Sequence, residues 1–207
     1  MNLSWKNVFA DLSQSPDLLA RFLNSISLME YMGARKILKS QHERDIDERV
    51  LAHMQEEIRH AQVFKRMAVK LSEGRLTTYA EEHLLAGAEA RAYIQSVDQS
   101  VAAVLQKKDS HLNYLLSTLL IEERANSAYP FWAECLKPYG LSSPVEKILK
   151  EEEIHLKDIL ESLQEKGVVT SSQMAHLRQV EEEAFSSLIE AVHREIALAK
   201  PLANLLT

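Results

Sequence analysis

A chain of 207 residues, 46% of them hydrophobic and with only five glycines and five prolines, is long enough for a sizeable core and reads as one helix-rich domain over 1–207. A formal charge of -6, with Lys and Arg interleaved among Asp and Glu, lacks the basic stripe that would neutralise phosphates and disfavours nucleic acid as a partner. The longest apolar stretch, about Leu115 to Ile121, falls far below the roughly 20 residues that span a bilayer, so no membrane is expected. The N-terminal MNLSWKNVFADLSQ has no uniform apolar block of the signal-peptide kind, and a single cysteine excludes an intrachain disulfide and any Cys-x-x-Cys motif. A cytoplasmic location is the expectation, with Cys135 a small packing residue.

Helical periodicity between sparse breakers predicts five long segments. The first runs from about Pro16 to Lys39, with Ser15 as N-cap and Pro16 in the first turn. The second runs from about Glu43 to Ser72 and stops at Gly74, and residues 75–109, helical in their Ala-rich and Gln-rich middle, read as a crossover. The third runs from about Ser110 to Lys137, ahead of Pro138 and Gly140. Ser143 and Pro144 cap a fourth, which reaches Lys166 and is closed by Gly167. The last runs from about Ser171 to Lys200. Connections that are short, long and short describe an all-α bundle over about 16–166 with one long crossover, plus extra N- and C-terminal helices.

Polar residues interrupt the apolar stripe of four of these helices at mid-length. Glu30 follows Leu19, Phe22, Leu23 and Ile26, and precedes Gly33, Ala34 and Ile37. Glu57 and His60, with His53 one turn earlier, sit between Ile46 and Val50 on one side and Phe64, Ala68 and Leu71 on the other. Glu122 follows Leu112, Leu115 and Leu119; Glu152 and His155 lie between Ile148 and Ile159. A lone buried carboxylate costs several kcal/mol or stays protonated, so four in one core require compensation. Two divalent cations would supply it, balancing four carboxylates while two imidazoles add neutral ligands. Residues three apart share a helix face, so each Glu-x-x-His offers an oxygen and a nitrogen to one site.

The pattern is duplicated. LME at 28–30 mirrors LIE at 120–122, and QEEIRH at 55–60 mirrors EEEIHL at 151–156. One Glu from each of two helices plus Glu-x-x-His from each of two others resembles the ferritin-like di-iron carboxylate superfamily, over about Pro16 to Lys166. The resemblance implies a ferritin-like four-helix bundle with two metal ions, iron first (Fe/Fe, or Mn/Fe), on Glu30, Glu57, His60, Glu122, Glu152 and His155. A carboxylate-rich, histidine-poor set also suits iron or manganese better than zinc or copper.

Each motif has a bland alternative. Composition yields about one Glu-x-x-His by chance, and the third copy, Glu190 to His193, lies opposite the apolar face of its helix and reads as solvated surface. Glu123 competes with Glu122, which parity with LME favours. Glu56 and Glu153 point about 100° from their neighbours and read as surface. His53 reads as a core histidine ahead of a hydrogen-bond donor to the ligands or an extra ligand. Tyr31 and Tyr129 read as packing ahead of hydrogen-bond partners of the cluster, and the small residues Gly33, Ala34, Ala125 and Ala128 leave a pocket or allow close packing.

By resemblance, the expected activity is oxygen activation by an oxidase or oxygenase acting on a small organic substrate, with O2 as co-substrate and an external electron donor; the exposed faces and extra terminal helices could support a homodimer. No Cys-x-x-Cys provides a rubredoxin module, and a last helix of about 30 residues disfavours a storage-ferritin cage. Iron or peroxide handling of the ferroxidase or peroxidase type, a tRNA-modifying hydroxylase (IEER at 121–124 resembles its third-helix motif) and a metal-stabilised structural or regulatory bundle remain the alternatives.

Overall fold

The computed structural model describes residues 4–40, 46–106, 109–166 and 170–203, which form seven α-helices and, among the described residues, no strand. They are α1 (Trp5–Leu12), α2 (Pro16–Ser40), α3 (Glu48–Leu71), α4 (Gly87–Val104), α5 (Ser110–Leu136), α6 (Ser142–Lys166) and α7 (Ser171–Ala203), with short 3-10 turns at Glu81–His83 and Lys137–Tyr139. The expected N-terminal helix is α1, and the helical middle of the crossover is α4.

Local chemistry sets the ends. Pro16 opens α2, where a missing N–H costs nothing. The second helix starts later than expected. Glu43 lies outside the described residues, Ile46 is exposed rather than part of the apolar face, and Asp47 caps α3 by accepting the Val50 N–H at 2.9 Å. At the other end of α3, Gly74 N–H donates to the Val69 carbonyl and Glu73 N–H to that of Lys70, with Glu73 in the left-handed region at φ 53. α6 begins at Ser142, one residue before the expected Ser143, while the expected stop at Gly167 lies outside the described residues. Thr170 and Gln173 cap α7 reciprocally: the Gln173 N–H reaches the Thr170 hydroxyl, and the Thr170 N–H reaches the Gln173 side chain at 2.9 Å.

α2 packs along α3 and α5 along α6; α2 also meets α5, and α3 meets α6. α4 and α7 pack on each other, with α4 against α2 and α5, and α7 against α5 and α1. Buried and part-buried polar contacts tie α7 down rather than leaving it an appendage. Arg124 of α5 pairs with Glu181 at 2.7 Å, Tyr93 of α4 donates to the same carboxylate at 2.8 Å, and Arg21 of α2 reaches Glu195 at 3.1 Å. A charge that deep is tolerated because it is both paired and hydrogen-bonded.

The core is divided. A large apolar cluster takes in Leu19, Phe22, Leu23 and Ile26 of α2, Phe64 of α3 and Ile148 of α6, while a smaller one joins Ile37, Val50, Tyr114, Leu115, Leu119 and Ile159. Along α2, α3 and α6 the acidic and histidine positions fall between these two clusters; in α5, Glu122 lies past Leu115 and Leu119 of the smaller cluster and before Ala128 of the larger, which this helix also joins through Leu112, Leu116 and Leu120. A polar layer therefore crosses the interior at mid-helix, where an apolar core would otherwise be continuous. No helix among the described residues is long and apolar enough to cross a membrane.

Candidate metal centre

Four helices bring seven side chains to this layer. Glu30, Glu57, His60 and Glu152 form one group and His53, Glu57, Glu122 and His155 another; within each group one ligand atom per residue lies within 4.8 Å of the others. Both groups could hold a metal ion, and Glu57 belongs to both. Glu57, His60, Glu122, Glu152, His155 and His53 are buried, and Glu30 is half-buried at the edge of a cavity. All six residues expected as ligands from helical phase thus converge, and His53 joins them.

The imidazoles face the layer through particular nitrogens. His60 Nδ1 lies 2.9 Å from Glu152 Oε1 and 3.9 Å from Glu57; His155 Nδ1 lies 2.8 Å from Glu152 Oε2 and 3.6 Å from Glu122. His53 Nε2 lies 3.5 Å from Glu57 and 3.7 Å from Glu122. Two of these atoms, His53 Nε2 and His60 Nδ1, are fully buried without a hydrogen-bond partner. Buried polar nitrogens are rarely left so, and orphaned ones aimed at a ring of carboxylates fit the demand of a cation for lone pairs.

The outward nitrogens are held by a crossed pair of carboxylates. His155 Nε2 of α6 hydrogen-bonds Glu56 of α3 at 2.6 Å, and His60 Nε2 of α3 hydrogen-bonds Glu151 of α6 at 3.0 Å. Each is the residue immediately before the Glu of its own Glu-x-x-His. Glu56 keeps 36% of its side chain exposed, in keeping with its helical angle, yet the neighbouring helix comes close enough to offer it a partner. Arg59 pairs with Glu151 in turn, and their contact with His60 keeps the Glu151 carboxyl below its ordinary range against the opposing pull of burial. An outward carboxylate fixes the imidazole ring and raises its basicity toward a metal.

Two tyrosines of α5 complete the surroundings. Tyr129 donates to Glu30 Oε1 at 2.5 Å, and Tyr114 hydrogen-bonds His53 Nδ1 at 2.6 Å. Tyr31, the other tyrosine considered for this role, is outside the layer: it is exposed and stacks on Tyr79 with ring centroids 6.0 Å apart. Glu123 turns to α7 and pairs with Arg178 at 2.6 Å, which leaves Glu122 as the carboxylate of α5 in the cluster. Glu153, Glu190 and His193 are exposed, as their helical phases predict.

Comparisons with protein-family models, with curated proteins and with solved structures return no match. The chemistry of the site therefore rests on its own geometry.

Gly33, one turn beyond Glu30, serves neither a turn nor a cap. A Cβ there would stand 2.7 Å from Glu57 Oε2, so the missing side chain is the space the shared carboxylate occupies. Ala125, one turn from Glu122, and Ala128, about a turn further on, line a cavity of about 100 Å³ that touches Glu30, Glu57, Glu122 and Glu152. Its far walls come from Ile94 of α4 and from Phe185 and Leu188 of α7. Nothing in the periodicity of α4 or α7 marks these residues, because they differ from other core residues only in what they pack against.

Without metal, the cluster holds protons instead. Burial pulls the histidines down, but neighbouring carboxylates win: His53 rises from 6.5 to about 9 beside Glu122 and Glu57, His60 to about 10 beside Glu152, and His155 to about 11 beside Glu122 and Glu152. Burial, with Glu57 and Glu152 adding to it, pushes Glu30 well above the usual carboxyl range. A raised histidine pKa stabilises the fold fully below the unfolded value of 6.5 and loses that contribution as pH climbs through the folded value. The metal-free protein should therefore become less stable from about pH 6.5 upward, through 9, 10 and 11. Urea unfolding in excess chelator at several pH values across that window checks this. A flat or rising profile would contradict the protonated cluster.

Proposed function

We propose that the chain is a ferritin-like four-helix bundle, built of α2, α3, α5 and α6 with α4 in the long crossover, that binds two metal ions and activates O2 to oxidise a small organic substrate. The ions are iron, as Fe/Fe or Mn/Fe, on Glu30, Glu57, His60, Glu122, Glu152 and His155. The observation that carries this reading is the pair of four-residue ligand groups joined through Glu57 in a buried mid-bundle layer. Glu57 could serve both ions, and the four carboxylates together would neutralise two divalent charges.

Bound there, the metal pair supplies the electron transfer to O2 that side chains cannot perform. The chain's own residues position and shield. Glu151 and Glu56 lock the rings of His60 and His155 from behind. Tyr129 donates its hydroxyl proton to Glu30 at the rim of the cavity, which leaves the phenolic oxygen to accept from a polar group of a bound molecule. The cavity favours a small organic substrate over iron storage, being lined mostly by apolar side chains, with α4 and α7 forming part of its wall. Ser117, fully buried on its wall with an unpartnered hydroxyl, offers one point of polar recognition. Incorporation of one oxygen atom into a C–H bond, with the other leaving as water, requires two electrons and two protons, supplied by an external donor in the cytoplasm.

The test is metal content after anaerobic Fe(II) loading, followed by optical spectra on admission of oxygen. Two irons per chain with new absorption that decays faster in the presence of an oxidisable substrate is the expected result. Iron that turns over repeatedly into a mineral would move the assignment to iron handling. Bound iron indifferent to oxygen would make the metal a structural clamp, whose removal lowers stability without touching any reaction.

A further inference from the structure

The two ligand groups are not equivalent. One has three carboxylates and one imidazole; the other, with His53, has two of each. Resting on the two-metal reading above, we propose that His53 is a metal ligand, and that its nitrogen-rich half-site with Glu57, Glu122 and His155 takes the first later-row divalent ion.

A core histidine would be expected to satisfy both ring nitrogens. His53 satisfies one. Its Nδ1 is engaged by Tyr114, which fixes the ring, while Nε2 is fully buried with no hydrogen-bond partner. Around Nε2 the distances are 3.5 Å to Glu57 and 3.7 Å to Glu122, with 3.6 Å between His155 Nδ1 and Glu122. These separations are long for hydrogen bonds. They lie at the upper end of, or just beyond, the spacing of about 3–3.6 Å between neighbouring donors that each stand about 2.0–2.2 Å from a central ion. The rings of His53 and His155 pack against each other with centroids 4.2 Å apart, and one ligand atom from each lies within 4.8 Å of the other and of those of Glu57 and Glu122.

The order of filling follows from donor type. Imidazole raises affinity for cobalt, nickel and zinc more than for manganese, whereas carboxylates suit manganese. The half-site with two nitrogens also reaches neutrality with one divalent ion, since its two carboxylates balance the charge. The three-carboxylate group would keep an excess negative charge beside it, which then attracts the second ion. Tyr114 acts as the positioning residue behind His53, as Glu56 does behind His155.

Anaerobic Co(II) titration of the full chain, followed by visible absorption and by proton NMR of the hyperfine-shifted region, tests this. With one equivalent bound, the expected spectrum shows two exchangeable imidazole N–H resonances, from His53 and His155, each protected by its hydrogen bond to Tyr114 or Glu56. His53→Gln should remove one of them and weaken the first equivalent at least about tenfold, the scale on which even outer partners of a metal ligand act. Tyr114→Phe should retain both resonances and weaken binding less, whereas His193→Gln on the exposed face of α7 should match the parent protein. One imidazole resonance at the first equivalent, or none, in the parent protein overturns the assignment of His53 without needing any variant to fold. Failure of the parent to bind Co(II) at all would instead bring down the two-metal reading beneath it.

Discussion

Glu57→Ala is expected to strip both ions from the protein, not one. Glu57 is the residue common to the two ligand groups, whereas Glu30 belongs to one and Glu122 to the other. Metal analysis after anaerobic loading and gel filtration should give about two ions per chain for the parent and about one each for Glu30→Ala and Glu122→Ala, with far less than one for Glu57→Ala. The same contrast should appear in unfolding. A ligand that binds only the folded state at one hundred times its Kd adds about 2.7 kcal/mol per site, so the parent should gain stability on metal addition and Glu57→Ala should gain almost none. Glu190→Ala, on the exposed face of α7, should be indistinguishable from the parent. Retention of two ions by Glu57→Ala would remove the shared carboxylate from the scheme.

Gly33→Ala should separate the site from the fold. In a helix interior alanine is favoured over glycine by about 1 kcal/mol, so the metal-free protein should be slightly more stable. The new methyl, however, would sit 2.7 Å from Glu57 Oε2. The end of a glutamate side chain yields more readily than a backbone, and the expected relief is rotation of the Glu57 carboxylate out of the layer. Metal affinity should then fall by about 100-fold, the upper end of what displaced outer partners of a metal site cost. Opposite signs for metal-free stability and metal affinity are the diagnostic result, read from chelator-treated unfolding and from competition against a metal indicator. If both fell together, Gly33 would be a packing position like any other.

These two residues also mark where sequence reading reaches its limit. Glu57 was legible because a carboxylate at the mid-point of an apolar stripe breaks a period of 3.6 residues that everything around it obeys. The same argument located Glu30, His60, Glu122, Glu152 and His155, and it separated them from Glu190 and His193, which obey the period of a solvated face. Gly33 was visible as a small residue one turn from Glu30, but only the position of α3 against α2 shows that its missing side chain makes room for a carboxylate.

His53 illustrates the same limit. Its phase placed it inside, yet phase does not tell a satisfied core histidine from one whose Nε2 has no partner; Tyr114, which decides the ring's orientation, comes from a helix 61 positions away in the chain. The angle of Glu56 on an isolated helix points it to the surface, where its side chain is indeed partly exposed, but only the approach of α6 shows that it reaches His155 at 2.6 Å. The start of α3 moved for a local reason instead, since a capping Asp47 ends the frame that the apolar pattern alone would have extended backward.

What the amino-acid order determined by itself was the set of helices and which face of each is buried, because helix geometry links residues only three and four positions apart. The doubled Glu-Glu-x-x-His at Glu56 to His60 and Glu151 to His155 was equally present in it. The crossing of that pair, in which each first Glu braces the histidine of the other helix, was decided by tertiary structure, as were the sharing of Glu57 and the closing of the cavity by Phe185 and Leu188. The reason is distance: those relations join atoms from different helices, and their separations are set by how side chains interlock between α3 and α6, α2 and α5, and α4 and α7, not by any repeat along one strand of sequence.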